Sequence, residues 1–302
     1  MRIFVAGASG AIGRPLIVQL VSQGHQVTGM TRSESAAREL AQLGAGAALV
    51  SAFDSQAVER ALRESEAEVV IDQLTSLPKD PAQLAEALPG DRKLRIEGGG
   101  NLYRAAEVNG VRRYLQQSSG FFLMPGDGLA DETESLAVDA SPGVAWSART
   151  YAELETRALS SHRMEGVILR YGFFYGPGTW YHAKGAVAHQ VRQRQFLIVG
   201  KGHGVWSFVH VEDAAAATVA ALGAEPGVYN IVDSDPSPVS DWLPKFAQWV
   251  GGPPPPLISE QEALAVAGED AVYYGTRLRG ASNQKALKML GFKPRRLEWL
   301  KD

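Results

Sequence analysis

The chain of 302 residues contains no cysteine, which excludes disulfide bridges, cysteine-ligated zinc and thiol catalysis. It also has no strong excess of either charge, since 30 basic and 33 acidic side chains leave a formal net charge of −3. Nucleic acids and membrane surfaces are bound through concentrated positive charge, so we expect neither as a partner. The six histidines lack the HxxxH and HExxH spacings, so we predict no metal site.

Long hydrophobic runs are also missing. No stretch of about 18 apolar residues occurs, so we predict no transmembrane helix. The sequence becomes glycine-rich by Gly7, after only a few apolar residues, so we expect no signal peptide. These features favour a cytoplasmic location.

Short apolar runs alternate with helical segments in the first half of the chain. The predicted strands are 3–6, 25–30, 47–50, 69–71, one beginning near 113, and 167–169. The predicted helices are 15–21, 35–43, 55–62, 92–109 and 151–162, and a short one is predicted at 260–267 in the second half. The alternation predicts an α/β protein with a Rossmann-type doubly wound parallel sheet.

Glycines recur at every third position directly between the first predicted strand and the first predicted helix. Gly7 permits a tight turn, Gly10 lets the backbone approach a pyrophosphate, and Gly13 lets the helix pack closely on the strand. The N–H groups that begin the helix then face the phosphates. The residues predicted to bind a dinucleotide here are Gly7, Ala8, Ser9, Gly10, Ala11, Ile12 and Gly13. A purely structural turn is the alternative.

The end of the second predicted strand indicates which dinucleotide binds. It reads Thr31-Arg32-Ser33 and lacks the acidic residue with which NAD sites hold the ribose 2′-hydroxyl. Arg32 suits a 2′-phosphate, and the hydroxyls of Thr31 and Ser33 can add neutral hydrogen bonds. We therefore predict that NADP(H) is favoured over NAD(H), with a solvated surface arginine as the alternative.

Two regions follow from these patterns. Residues 1–176 are predicted to form the NAD(P)-binding Rossmann domain, to which segments at about 206–232 return. Residues 177–302 are predicted to form mainly a smaller irregular C-terminal lobe that binds substrate. In open α/β sheets, ligands bind beyond the carboxyl ends of the strands, where this lobe would lie.

Six segments in order resemble the extended short-chain dehydrogenase/reductase family, of the NAD(P)-dependent epimerase/dehydratase type. They are the GxxGxxG turn at 7–13, then 101–113, 118–119, 169–178, 208–215 and 282–294. The resemblance covers nearly the whole chain. It implies an oxidoreductase that acts on a small-molecule substrate, and a homodimer would be usual for the family.

The resemblance also implies further cofactor contacts. Ser51 and Ala52 would lie near the adenine, and Leu74 and Thr75 would run along the cofactor. The contacts expected towards the nicotinamide are Ser118, after the fifth strand, and Tyr171, Phe173 and Phe174, around the sixth strand and its loop.

The chain departs from the family at the catalytic residues. Members use Ser or Thr, Tyr, and a Lys four residues after the Tyr. Ser119 matches the serine, and Tyr151 is the tyrosine candidate, but the residue four positions later is Glu155. In the other register, Ser147 takes the tyrosine position and Tyr151 the lysine position. The Tyr-Lys pair is absent in both, so Tyr151 is either an unusual catalytic acid or a packing residue.

Tyr181, His182 and Trp206 are the predicted substrate-binding residues, with packing as the alternative role. Together these features predict an atypical NADP(H)-dependent oxidoreductase that reduces a carbonyl of a small organic molecule. One alternative is a nucleotide-sugar epimerase or dehydratase. The other is a non-catalytic NADP-binding regulator, which the missing Tyr-Lys pair motivates.

Overall fold

The computed structural model describes residues 1–300. Its strands are β1 (Arg2–Ala6), β2 (Gln26–Thr31), β3 (Gly46–Leu49), β4 (Val69–Asp72), β5 (Arg113–Ser119), β6 (Glu165–Tyr171), β7 (Phe173–Tyr175), β8 (Ile198–Val199), β9 (Val205–Trp206), β10 (Phe208–His210), β11 (Gly227–Ile231), β12 (Ser237–Pro238) and β13 (Leu257–Ile258). Its α-helices are α1 (Gly13–Ser22), α2 (Glu34–Gln42), α3 (Ser55–Ser65), α4 (Leu84–Lys93), α5 (Gly99–Val108), α6 (Pro142–Leu159), α7 (Ala186–Arg192), α8 (Val211–Ala220), α9 (Val239–Trp249), α10 (Glu260–Thr276) and α11 (Gln284–Leu290).

Seven strands form one parallel sheet in the order β11-β6-β5-β4-β1-β2-β3. The chain builds outward from β1 to β3 and then returns to place β4 on the other side of β1. The carboxyl ends of β1 and β4 therefore meet where the strand order reverses, which is where open α/β sheets bind ligands. The predicted Rossmann-type sheet is confirmed.

Both faces of the sheet are buried because successive side chains of a strand point to opposite sides. Ile3 and Val5 pack into a core shared with α1 and α8. Phe4 and Ala6 pack into a second core shared with α3 and α5. This two-sided burial holds the carboxyl ends of the strands in a fixed arrangement.

A third, largely aromatic core lies beyond the carboxyl end of β6. It includes Phe208, Trp242, Phe246 and Trp299, all fully or nearly fully buried. Three two-stranded pieces frame it: β7 with β10, β9 with β12, and β8 with β13. The second half of the chain therefore builds a separate core next to the sheet, together with the segment between β5 and α6 and the start of α6.

Three predicted helix boundaries are wrong. α6 begins at Pro142, well before Tyr151, since proline fits the first turn of a helix. The helix predicted from 92 is preceded by α4 and interrupted by a π-helical turn at Leu94–Gly98. The helix predicted to end at 267 continues as α10 to Thr276, after a kink at Gly268, where φ is +79°.

None of the helices in residues 1–300 combines the length and the hydropathy needed to cross a membrane.

Candidate active site

The turn between β1 and α1 is closed by contacts that only glycine permits. Gly7 has a φ of +79°, and a Cβ there would collide with the carbonyl oxygen of Gln73. A Cβ on Gly13 would collide with the carbonyl oxygen of Gly7. The N–H of Gly10 donates to that same oxygen at 3.0 Å. The predicted tight turn is therefore present, with Ala8 and Ile12 buried beneath it.

The N-terminus of α1 has the properties of a phosphate-binding helix end. Ile12 precedes the helix and provides no side-chain cap, and the first turn contains no acidic residue. In the first turn, Pro15 has no N–H and the N–H of Arg14 donates to the carbonyl oxygen of Gly10 at 3.1 Å. The N–H groups of residues 11–13 and the partial positive charge of the helix end are therefore the ones left for a ligand. Ser9, Gly10 and Ala11 reach the surface at this point. These features fit the pyrophosphate of a dinucleotide.

At the end of β2, the three predicted cofactor residues differ in what their side chains contact. The hydroxyl of Thr31 accepts a hydrogen bond from the N–H of Ser33 at 3.3 Å. The hydroxyl of Ser33 caps α2 by accepting from the N–H of Ala36 at 3.2 Å. Arg32 is exposed, and its side chain makes no ion pair with any residue in 1–300. Arg32 therefore presents the positive charge at this end of the sheet.

The segments after β3 and β4 border the same region. Ala52 is buried against Gly98, and its carbonyl oxygen accepts from the side chain of Asn101 at 2.9 Å. Ser51 is half-buried and Leu74 is buried. Thr75 is exposed, but its hydroxyl accepts a hydrogen bond from Arg95.

A buried ion pair occupies the space between α6 and the ends of β5 and β6. Glu155 binds Arg170 through two hydrogen bonds, of 2.8 and 2.7 Å, and accepts another from the hydroxyl of Ser118 at 2.6 Å. Ser119 is buried as well, and its hydroxyl accepts from the N–H of Phe121 at 3.5 Å. Glu155 is therefore directed to Arg170 and is not the charged neighbour of Tyr151.

The charged neighbours of Tyr151 come from elsewhere in the chain. The Arg95 guanidinium carbon lies 5.1 Å from the centre of the Tyr151 ring. Asp91 accepts from Arg95 at 2.6 Å, and Thr75 accepts from Arg95 at 2.9 Å. Burial raises the pKa of the Tyr151 phenol; the Arg95 charge opposes this rise and the Asp91 charge adds to it.

Sequence reasoning missed Asp91 and Arg95. Their spacing of four residues is typical of an ordinary surface pair on a helix. In the structure both side chains are buried. Arg95 lies in the π-helical turn that leads into α5. Such π-helical turns are frequent at functional sites, so the turn is a structural sign that Asp91 and Arg95 belong to the site.

An aromatic cavity of about 580 Å³ extends from Tyr151 into the second half of the chain. Phe173 lies in its wall, stacked between Phe121 at 3.9 Å and Trp206 at 4.1 Å between ring centres. Tyr181 also lines it, as does Tyr274, which the sequence did not single out. The volume is within the range of about 300–1,000 Å³ that is usual for small-molecule sites.

The remaining predicted residues lie outside this cavity. Tyr171 is fully buried, and its hydroxyl bonds to Thr218 at 2.6 Å and accepts from Gln73 at 3.1 Å. Phe174 packs on Tyr171, on the opposite side of β7 from Phe173. The His182 ring accepts a hydrogen bond from the N–H of Lys184 within its own loop. Of the predicted residues, the structure therefore brings Tyr151, Phe173, Tyr181 and Trp206 together around one cavity.

Within residues 1–300, no three histidine or acidic side chains are placed to hold a metal ion.

The sheet and the glycine turn define a Rossmann-type dinucleotide-binding protein. A model of the NAD dependent epimerase/dehydratase family matches residues 3–232, and the chain belongs to that family. The resemblance to extended short-chain dehydrogenases/reductases is thereby confirmed, and the chain is an NAD(P)-dependent oxidoreductase of this type.

Three known proteins illustrate the similarity. The chain is 39% identical over 302 residues to the 3-diazoavenalumate denitrifying reductase of a Streptomyces species, which covers 99% of this chain and 98% of the relative. It is 26% identical to the 4-hydroxy-2-methyl-3-oxo-4-farnesyl-3,4-dihydroquinoline-1-oxide ketoreductase of Stigmatella aurantiaca, over 80% of this chain and 71% of the relative. Its fold is similar to that of the UDP-glucose 4-epimerase of Thermus thermophilus, a structure solved in complex with NAD, with a TM-score of 0.73, 24% identity, and coverage of 99% and 96%. The last similarity concerns the fold alone.

Proposed function

We propose that this chain is an NADP(H)-dependent reductase of a small, planar, conjugated molecule. The observation that carries the proposal is the position of Phe173. This residue is the predicted neighbour of the nicotinamide, and it lies in the wall of the aromatic cavity. A substrate in the cavity would therefore be next to the hydride donor. The free, exposed Arg32 supports NADP(H) as the cofactor, because it suits a 2′-phosphate.

NADP(H), when bound, supplies the hydride, so the protein has to position the acceptor and handle one proton. Reduction of a carbonyl adds the hydride to carbon and a proton to oxygen. Tyr151 is the proposed donor of that proton, because it is the cavity phenol beside a buried cation. The Arg95 charge would stabilise the phenolate that remains until solvent returns a proton. Ser119 stays a candidate for polarising the carbonyl, because its hydroxyl bonds to the N–H of Phe121, a residue that lines the cavity.

A second candidate reaction is the replacement of an aromatic diazonium group by hydrogen. The observation that favours it is that no lysine within residues 1–300 lines the cavity, so Tyr151 has no lysine there as the usual partner of a proton-donating tyrosine. Hydride addition to a diazonium carbon forms a C–H bond while the C–N bond breaks and dinitrogen leaves with its electron pair. No proton has to reach the leaving group. The full-length relative named as a 3-diazoavenalumate denitrifying reductase supports this candidate.

The test begins with calorimetric titrations of the protein with NADPH and with NADH. The complexes are then mixed with aromatic aldehydes, ketones and diazo compounds, and oxidation of the nicotinamide is followed by absorbance. We expect NADPH to bind more tightly than NADH, and the nicotinamide to be oxidised by at least one of these classes of compound. Cofactor that co-purifies and is not consumed would favour an epimerase-type enzyme. Binding without any turnover would favour a regulator.

The variant Tyr151→Phe separates the two reactions. If a carbonyl is the acceptor, loss of the proton donor should slow reduction by about 100-fold or more. If an aromatic diazonium carbon is the acceptor, no proton is required and the rate should stay within a few-fold of the unmodified protein. Gas evolution and product analysis then identify the reaction independently.

A further inference from the structure

Three tyrosine hydroxyls line the cavity without a partner. They belong to Tyr151 on α6, Tyr181 in the loop after β7, and Tyr274 on α10. None of the three hydroxyls makes a hydrogen bond to another residue in 1–300. Each of these hydroxyl oxygens keeps some accessible surface, so a molecule in the cavity can bind to it. Uncommitted hydroxyls in an apolar cavity therefore point to polar atoms of a ligand.

Tyr181 is firmly held, so its hydroxyl has a defined position. The side chain is only 6% exposed, and its ring packs edge-on against Phe208 at 5.4 Å and Trp206 at 6.2 Å. Burial alone raises the pKa of this phenol, with no charged group contributing. Tyr181 therefore stays protonated in ordinary buffers and acts as a hydrogen-bond donor.

Tyr274, on α10, packs against the same aromatic wall of the cavity as Tyr181. Its carbonyl oxygen accepts from the indole N–H of Trp206 at 2.9 Å, and its ring lies 5.8 Å from the Trp206 ring and 6.3 Å from the Phe173 ring. Burial is the main cause that raises the pKa of Tyr274, and the charge of Asp270 adds to the rise. Tyr274 is therefore a second neutral donor in the cavity.

The charges around the cavity favour a neutral acceptor at these two hydroxyls. The cation Arg95 lies at the Tyr151 end. Asp270 borders the cavity near Tyr274, where it accepts from the N–H groups of Gly143 and Val144 at 3.1 and 3.3 Å. Its negative charge disfavours a carboxylate beside Tyr274. A phenol or a quinone-type carbonyl carries much less charge and suits the site better.

We propose that Tyr181 and Tyr274 recognise an oxygen attached to the aromatic ring of the substrate, and so select phenolic or quinone-type compounds. The inference rests on the proposed function, because it takes the cavity to be the acceptor site. It adds the substrate class and the residues that determine specificity.

The experiment combines variants of the protein with two related ligands and measures the binding affinity of each combination. Para-hydroxyacetophenone and acetophenone, which differ by one hydroxyl, are titrated into the NADP⁺ complex by calorimetry. We expect the unmodified protein to prefer the hydroxylated ligand roughly tenfold, as hydrogen bonds of ordinary strength imply. In Tyr181→Phe and Tyr274→Phe, that preference should fall to roughly twofold or less, with acetophenone binding unchanged.

Tyr175→Phe is the matched control. Tyr175 also has a buried hydroxyl, which has no partner within residues 1–300, but its ring packs on His210 and Trp299 and does not line the cavity. This variant should keep the full preference for the hydroxylated ligand.

Three results would overturn the inference: equal weakening of both ligands, an unmodified protein without a preference, or no binding of either compound. These binding measurements do not depend on turnover of a substrate. If the preference behaves as expected but nothing is reduced, the reductase proposal fails and the recognition of aromatic oxygen stands.

Discussion

Arg32 is the residue on which the cofactor preference depends. The hydroxyls of Thr31 and Ser33 accept from backbone N–H groups and can still donate to a phosphate, but only Arg32 adds a positive charge. We expect Arg32→Ala to weaken NADPH binding by ~1–3 kcal/mol more than NADH binding, because a charge-assisted hydrogen bond to the 2′-phosphate is lost. Calorimetry with both cofactors measures the difference.

Arg38→Ala is the control for Arg32. Arg38 is another exposed arginine on α2, and its guanidinium lies 3.6 Å from the carboxylate of Glu34. Its removal should leave the ratio of NADPH to NADH affinity unchanged. If Arg32→Ala weakened both cofactors equally, Arg32 would not contact the 2′-phosphate.

Arg95 and Asp91 should act on Tyr151 in opposite directions. The Arg95 charge lowers the pKa of the Tyr151 phenol and the Asp91 charge raises it. We therefore expect Arg95→Met to move the alkaline limb of the rate profile to higher pH, and Asp91→Asn to move it to lower pH. Carbonyl reduction at neutral pH should also fall by at least about tenfold in Arg95→Met, since the phenolate is no longer stabilised.

The measurement is the pH dependence of kcat and kcat/KM for carbonyl reduction. Arg95→Lys keeps the positive charge and should restore most of the rate. Equal effects of Arg95→Met and Arg95→Lys would indicate that Arg95 only supports the fold near the π-helical turn.

Among the elements, β1 and α1 were predictable because their determinants are local. An apolar run followed by three glycines at fixed spacing specifies the strand, the turn and the helix within a few residues. The N-terminus of α6 also has a local signal, Pro142 in its first turn, which the prediction did not use. Its first turns pack against α10 through Asp270, which accepts from the N–H groups of Gly143 and Val144 and is far away in the sequence.

The candidate site shows the same division. The glycine turn was predicted completely, whereas the cavity depends on long-range packing. Tyr274 was missed because the helix at 260 was expected to end before it. Glu155 stands four residues after Tyr151, where the family has its lysine, but β6 supplies Arg170, with which Glu155 pairs instead. Tertiary contacts decide which partner a charged side chain binds, and the spacing of residues in the sequence does not reveal them.

At the scale of the whole molecule, the last segments of the chain return to the Rossmann half. Arg295 binds Asp213 on α8 through its backbone N–H at 2.8 Å and its side chain at 3.0 Å. Asn283 donates to the carbonyl oxygens of Val232 and Asp233 just after β11, both at 3.0 Å. The aromatic core and the sheet are therefore joined by polar contacts, which are buried at Asn283 and partly exposed at Arg295.

Asp233 makes this junction sensitive to pH. Burial raises the pKa of its carboxyl from 3.8 to about 7, although the N–H groups of Phe208 and Asp235 bond to it. Between these two values the folded chain holds a proton that the unfolded chain has released. The free energy of unfolding should therefore fall as the pH rises from about 4 to about 7, by at most about 1.4 kcal/mol per pH unit.

Asp233→Asn tests this dependence, because an amide cannot ionise. The variant should be less stable at low pH, where its NH₂ group replaces an acceptor, but it should lose most of the decline between about pH 5 and pH 7. Urea unfolding at a series of pH values measures both effects. Asp241→Asn, which removes an exposed partner of Lys245 on α9, should keep the decline of the unmodified protein. If Asp233→Asn kept the same slope as the unmodified protein, the titrating group would lie elsewhere in the chain.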